Sequence, residues 1–383
     1  MKLCQIAILG STGSIGLNTL NVVEQNPDLF KVTALSAYNN FKLLEQQIKK
    51  YKPSHVAVGE EGLRYFKKNK IKGVQLYPSQ DCEELATLKE VELVVLAMCG
   101  TGALMPFLKA LRAGKTVAPA NKEALVIAGD LIMNEARKHR ARIIPIDSEQ
   151  SAIFQCLEGQ TSKPKFVHLT ASGGPLRKVR SKDFNRMTPK DILRHPRWKM
   201  GPKITVDSAT LMNKGFEVIE AKHLFNLNYN QIKVLIHPEA IIHSMVEFAD
   251  GSLLAQLGIT DMRLPIQYAL TYPKRLPTGL KDLNLAKLGS LNFHKPDLKK
   301  FPSLSLAFEA ARLSGTMPSV LNAADEEAVN AFLTKKIKFL SIYKVVEKVI
   351  LRHTIVKNPS LSAILEADQW ARIEAQKMIN CIK

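Results

Sequence analysis

Cysteine is scarce. The five in 383 residues stand at positions 4, 82, 99, 156 and 381. An odd, scattered set without a CxxC pair signals neither a disulfide framework, a zinc ribbon nor a redox dithiol, and a reducing compartment fits. Long apolar runs are missing too: none reaches the roughly 18 residues of a spanning helix, so no membrane partner is expected. The opening MKLCQIAILG lacks the small-residue cleavage site of a signal peptide. It reads as a first strand, and the protein as cytoplasmic. Aromatics are only 7% of the chain, few to stack on bases. Acidic residues are outnumbered, 35 against 54 Lys and Arg, for a net charge of +19. The excess is greatest in residues 151–290, with 20 basic against 11 acidic side chains. What remains is an ordinary globular mixture, 46% hydrophobic and 23% charged, which excludes wholesale disorder. The length suits two or three domains.

The first 150 residues alternate short apolar runs with helical patterns. Strands are expected at 6–9, 32–37, 55–58, 73–77, 91–98, 116–119 and 142–146, with a helix at 15–25 and another after the second strand to about 51. Such alternation implies βαβ units and a parallel sheet, a Rossmann-like domain over 1–150. Residues 151–290 read as an α+β catalytic and connective domain with an antiparallel sheet. Its strands are expected at 166–170, 234–237, 241–248 and 252–257, with a hairpin at Asp250-Gly251. Residues 291–383 read as the end of a proline-punctuated linker and a C-terminal helical bundle of three or four segments.

Four segments carry possible chemistry. GSTGSIG at 10–16 lies between a strand and a helix, where glycines let the backbone approach a pyrophosphate. The second strand ends in SAYNN without the acidic residue of an NAD enzyme, which leans toward NADP. IDSEQSAIFQ at 146–155 places Asp147 and Glu149 after an apolar strand. Oxygen ligands there suit Mg²⁺ or Mn²⁺, although acidic residues at a helix start read equally well as a cap. VDSATLMNKGFEVIEA at 206–221 groups Ser208, Asn213 and Lys214, a set able to hold phosphate, with Glu217 as a third candidate carboxylate ligand, or is simply an amphipathic helix. TASGGPLR at 170–177 leads into residues 177–203, with 10 Lys or Arg against 2 Asp, plus His195 and Trp198. With little apolar surface to anchor it, that stretch reads as a mobile flap over an anionic substrate. A nucleic-acid patch is the competing reading, and a solvated charged loop the bland one. Of the two histidines in HPEAIIHS, only His243 stands as a candidate supporting residue.

Together with APANKEALV (118–126), HPRWKMGPKITVDSATLMNKGFEVIEA (195–221), IHPEAIIHSMVEFADGSLLAQLG and DMRLPIQYAL (261–270), these segments resemble the 1-deoxy-D-xylulose 5-phosphate reductoisomerase family. They run in the family's order over nearly the whole chain. The resemblance implies that Thr12, Gly13, Ser14 and Ile15 touch the NADPH phosphates, with Asn39, Asn40, Asn121, Glu123 and Gly201 also at the cofactor. It implies Asp147, Glu149 and Glu217 as ligands of Mg²⁺ or Mn²⁺. Lys122, Ser148 and Glu149 would meet a sugar phosphate near the metal, and Ser172, Ser208, Asn213 and Lys214 would hold its phosphate. His195 would sit beside it, and Trp198 in the closing flap; Lys122, His195 and Glu217 would be catalytic. Tyr38 and Asn39 stand where many relatives have Gly and a basic residue. The implied reaction breaks and rejoins the carbon skeleton of 1-deoxy-D-xylulose 5-phosphate. NADPH then reduces it to 2-C-methyl-D-erythritol 4-phosphate, in a homodimer. The residues also leave open an NADP-dependent dehydrogenase acting, without metal, on another phosphorylated substrate, and a basic nucleic-acid-binding protein on a Rossmann scaffold.

Overall fold

A computed structural model describes residues 3–193 and 200–382. The chain forms two compact units. One comprises Met1–Ala124, Asp130–Ser151 and Asp261–Lys281, the other Leu125–Gly129, Ala152–Thr260 and Asp282–Lys383.

The first unit is built on seven strands: β1 (Cys4–Leu9), β2 (Phe30–Ala37), β3 (His55–Val58), β4 (Gln75–Pro78), β5 (Leu93–Leu96), β6 (Thr116–Pro119) and β7 (Arg142–Ile143). All pair in parallel, in the order β4-β3-β2-β1-β5-β6-β7. The central strands are apolar runs because both faces are covered; Ile6, Ala7, Ile8, Leu9 and the whole of β5 are buried. Regular pairing stops at Ile143, yet the amides of Ile144 and Ile146 still donate to Val117 and Pro119. The apolar run 142–146 therefore follows β6 to its end and delivers Asp147 there. Strand order reverses between β1 and β5, and the crevice beyond their carboxyl ends is where open α/β sheets bind ligands.

The second unit holds a sheet ordered β11-β10-β8-β9, with β8 (Phe166–Ala171), β9 (Ile232–Ile236), β10 (Ile242–Glu247) and β11 (Leu253–Leu257). The hairpin at Asp250-Gly251 joins β10 to β11; Gly251 takes φ +87°, and the Asp250 carboxylate accepts from the Ser252 amide and hydroxyl. The β8–β9 pair, however, is parallel. The sheet is mixed, because the helices between these strands form a crossover rather than a hairpin. Four helices, Ser303–Leu313, Met317–Leu333, Phe339–Arg352 and Leu361–Cys381, make the C-terminal bundle. Of the stretch 177–203, residues 194–199 lie outside the described residues, and residues 184–192 are better anchored than their composition suggests. Phe184 is buried, its ring 5.8 Å from that of Phe301 and 5.7 Å from that of Phe339, and Ile192 is buried too. A capping box between Thr188 and Asp191 starts the short helix Pro189–Ile192. Two apolar side chains thus anchor residues 184–192.

Candidate active site

The glycine loop begins where β1 stops. A side chain at Gly10 (φ +93°) would put its Cβ 2.5 Å from the Ala97 carbonyl oxygen, and one at Gly16 would lie 2.4 Å from that of Gly10. Both glycines are therefore demanded by packing. Gly13 has no such neighbour closer than 3.5 Å and is exposed at the start of helix Ser14–Gln25, with no side chain capping it. The first-turn amides lack intrahelical acceptors, and the helix dipole places positive charge among them. The loop is held from behind. Gly10 and Ser11 amides donate to the Ser36 carbonyl, the Ser11 hydroxyl donates to Gln47 Oε1 at 2.6 Å, and Gln47 Nε2 returns a bond to the Ser11 carbonyl at 3.0 Å. At the tip of β2, Tyr38 and Asn39 are exposed, while Asn40 accepts from the Leu43 amide and caps the next helix.

Asn121 follows β6. Its Nδ2 donates to the carbonyls of Met98 and Gly100, both at 2.9 Å, and its Oδ1 caps the next helix at the Ala124 amide. It pins the loop after β5 to the start of helix Lys122–Lys138, in whose first turn Glu123 lies half-buried. The buried Lys122 ammonium lies 2.5 Å from Asp147. Asp147 precedes helix Ser148–Leu157, and the Ser148 hydroxyl donates to Glu149 at 2.5 Å. One end of the sheet thus gathers a cation, two carboxylates and a hydroxyl.

In the second unit, β8 runs into Ser172-Gly173-Gly174, whose glycines take φ +86° and +68°. The Gly174 amide donates to the Ser172 hydroxyl. Helices Pro202–Thr210 and Met212–Leu224 meet at Leu211, a non-glycine residue at φ +62°. Strain of this kind, about 1–3 kcal/mol, persists where surroundings over-determine the backbone. The sharp junction carries Ser208 on one side and Asn213, Lys214 and Glu217 on the other. Glu217, 1% exposed, accepts from Asn213 Nδ2 at 2.6 Å and from the Lys214 ammonium. Gly215 lets this helix press against Ala307, where a Cβ would come within 2.3 Å.

Comparison with known proteins decides the family. The 1-deoxy-D-xylulose 5-phosphate reductoisomerase model matches residues 6–129, and two C-terminal domain models of the same family match 143–225 and 257–374. The chain belongs to the 1-deoxy-D-xylulose 5-phosphate reductoisomerase family. It is 50% identical to the reductoisomerase of Pelotomaculum thermopropionicum over 379 residues, covering 98% of each chain. It is 51% identical to that of Moorella thermoacetica over 374 residues, covering 97% of each. The solved reductoisomerase of Zymomonas mobilis in complex with NADPH superposes with a TM-score of 0.92, at 40% identity and 99% coverage of both chains. A structure of the enzyme with NADPH, fosmidomycin and magnesium gives 0.92 at 39% identity, covering 99% of this chain and 98% of the other.

For a reductoisomerase, the expected residues divide as follows. The first unit carries Thr12, Gly13, Ser14, Ile15, Asn39, Asn40, Asn121, Lys122, Glu123, Asp147, Ser148 and Glu149. The second carries Ser172, Gly201, Ser208, Asn213, Lys214 and Glu217, with Gly201 exposed at the start of helix Pro202–Thr210. His195 and Trp198 lie outside the described residues. His237 is a core histidine: its Nδ1 donates to the Asn292 carbonyl, its Nε2 accepts from the Ile241 amide, and its ring stacks on Phe293. His243 is buried on β10, its carbonyl accepting from Thr170. Sequence reasoning missed Ser11, Ser36 and Gln47. No local signal could have found Gln47, a polar side chain on an otherwise amphipathic helix.

Proposed function

We infer that this chain carries the activity of its family, the rearrangement of 1-deoxy-D-xylulose 5-phosphate and its reduction to 2-C-methyl-D-erythritol 4-phosphate. It is an NADP-dependent oxidoreductase of non-mevalonate isoprenoid precursor biosynthesis, using NADPH and Mg²⁺ or Mn²⁺. Identity near 50% along almost the full length carries this reading. The residues present suit both groups. At the exposed glycine loop, Thr12, Gly13, Ser14 and Ile15 would meet the NADPH phosphates, with Asn39, Asn40, Asn121, Glu123 and Gly201 at the rest of the cofactor. No carboxylate at the tip of β2 repels a 2′-phosphate. Asp147 and Glu149 of the first unit and Glu217 of the second would be the metal's ligands, carboxylate oxygens of the type a hard divalent cation takes. Bound there, the ion supplies Lewis-acid polarisation of substrate oxygens.

The chain's own side chains do the rest. Lys122 compensates the Asp147 charge and, with Ser148, faces the substrate. Lys214 offers a point charge to the phosphate, while Ser172, Ser208 and Asn213 donate directional hydrogen bonds. His195 and Trp198 would lie beside that phosphate and in the flap above it. The proposed partners are a small sugar phosphate and a second copy of the chain, with no nucleic acid and no membrane. Among the described residues no helix is long and apolar enough to cross a membrane, and a cytoplasmic location fits this reading. The dimer would form at the edge strand β11, where Leu253 is 54% exposed and Leu254 and Leu257 are exposed as well. The decisive assay combines protein, 1-deoxy-D-xylulose 5-phosphate, NADPH and Mn²⁺, and follows loss of NADPH absorbance. Loss that a chelator abolishes supports the reading. Oxidation that persists without metal, on another phosphorylated substrate, favours an ordinary dehydrogenase.

A further inference from the structure

A second charged cluster lies inside the second unit. Asp207 is 2% exposed and Asp325 fully buried. The Lys203 ammonium lies 2.6 Å from Asp207 Oδ2 and 3.0 Å from Asp325 Oδ2. Lys203 also lies over the Phe216 ring, 4.6 Å from its centroid. Oδ1 of Asp207 and Oδ1 of Asp325 accept no hydrogen bond among the described residues. Two carboxylates thus share one cation. Burial and the neighbouring Asp325 carboxylate hold the Asp207 carboxyl well above the usual carboxylate range, against the pull of Lys203.

Such a cluster is a poor stabiliser: desolvating these charges offsets their attraction, and apolar side chains of similar volume often do as well. What it supplies is fixed geometry. Lys203 and Asp207 are on helix Pro202–Thr210, Asp325 is on helix Met317–Leu333 of the bundle, and Phe216 is on helix Met212–Leu224 beside Glu217. Ser208 follows Asp207 directly. The Ser208 carbonyl oxygen lies 2.3 Å from where a Cβ on Gly174 would stand, so the loop bearing Ser172 rests on the same turn of helix. A slip of that helix would therefore carry Ser208 with it and remove the support under Ser172.

We propose that Lys203, Asp207 and Asp325 are positioning residues for the phosphate end of the substrate. The cluster locks helix Pro202–Thr210 to the C-terminal bundle and so sets the places of Ser208 and Ser172. The proposal rests on the assignment of those two serines to the substrate phosphate.

Asp325 is the residue to change, because its side chain is spent on the cluster. Asp325→Leu is expected to raise KM for the sugar phosphate about tenfold through misplacement of the binding groups. Competitive inhibition by inorganic phosphate should weaken in proportion, while KM for NADPH and kcat stay within about twofold. Asp325→Asn keeps an acceptor for Lys203 and should restore KM close to that of the parent. If Asp325→Leu does not fold, Lys203→Met carries the same expectation. A lowered Tm with unchanged KM and unchanged phosphate inhibition would make the cluster merely structural and overturn the proposal. Ser208→Ala separates the two readings. If it raises KM while the cluster variants do not, positioning fails alone; if it leaves KM unchanged, the phosphate assignment fails and the proposal with it.

Discussion

The Lys122 ammonium and the Asp147 carboxylate lie 2.5 Å apart, with only 6% and 15% of their side chains exposed. One begins the helix after β6, the other follows β7, and neighbouring parallel strands bring them together. Removing the cation leaves a mostly buried carboxylate uncompensated, at a cost of about 3–5 kcal/mol. Lys122→Met should therefore melt earlier, and Mn²⁺ should restore part of the loss by replacing the missing charge. Thermal unfolding with and without Mn²⁺ checks this. An equal Mn²⁺ shift in variant and parent would count against Asp147 as a ligand.

Glu217 is held by Asn213 and Lys214 with its carboxylate out of solvent. Glu217→Gln keeps the volume but removes the negative charge. Turnover should fall at least about 100-fold, the order expected for a group that stabilises charge in the transition state. NADPH affinity, read from its fluorescence, should not change. Full turnover at ordinary metal concentrations would remove Glu217 from the metal site.

The three loop glycines should not respond alike. Gly16→Ala forces a Cβ within 2.6 Å of backbone atoms of Gly10 and Ser11. It should destabilise by about 1–3 kcal/mol, as overpacking does. Gly13→Ala meets nothing nearer than 3.5 Å and has an ordinary φ of −80°. Its stability should stay within about 0.5 kcal/mol of the parent, while, with NADPH placed at the loop as proposed, binding weakens because the new methyl would face the cofactor. Chemical denaturation and NADPH titration, run side by side, test the contrast.

Gln47 supports that loop through two buried hydrogen bonds to Ser11. Gln47→Leu takes the Gln47 donor from the Ser11 carbonyl, while the Ser11 hydroxyl keeps the Ser36 carbonyl at 3.2 Å, and should cost about 1–3 kcal/mol. KM for NADPH should rise, and KM for the sugar phosphate should not. A rise in both would show general loosening instead.

Leu253 and Leu257, four residues apart, share one face of β11. The parent should sediment at micromolar concentration near twice the 42.6 kDa chain mass. Changing both leucines to Asp should yield monomer. A parent that sediments as monomer, or a double variant that remains dimeric, argues against this edge as the interface.

What the sequence determined by itself is local. The hydrophobic period placed 55–58 and 116–119 at the observed bounds of β3 and β6. Gly10 announced the turn after β1, and Asp250-Gly251 announced the β10–β11 hairpin. These features depend on neighbours within a few residues, through φ preferences and alternation of side chains, so one linear reading contains them. Packing decided the rest. Nothing near Gln47 says that it reaches Ser11, and nothing near Asp207 says that its partner is residue 325. The parallel pairing of β8 with β9 was equally hidden, because an alternating apolar strand looks the same whichever way its neighbour runs. Phe184 reads as one aromatic in a basic stretch until Phe301 and Phe339 close around it. Such partners are chosen by the fit of buried surfaces and by the need of each buried polar group for a counterpart, and both exist only once the chain has folded.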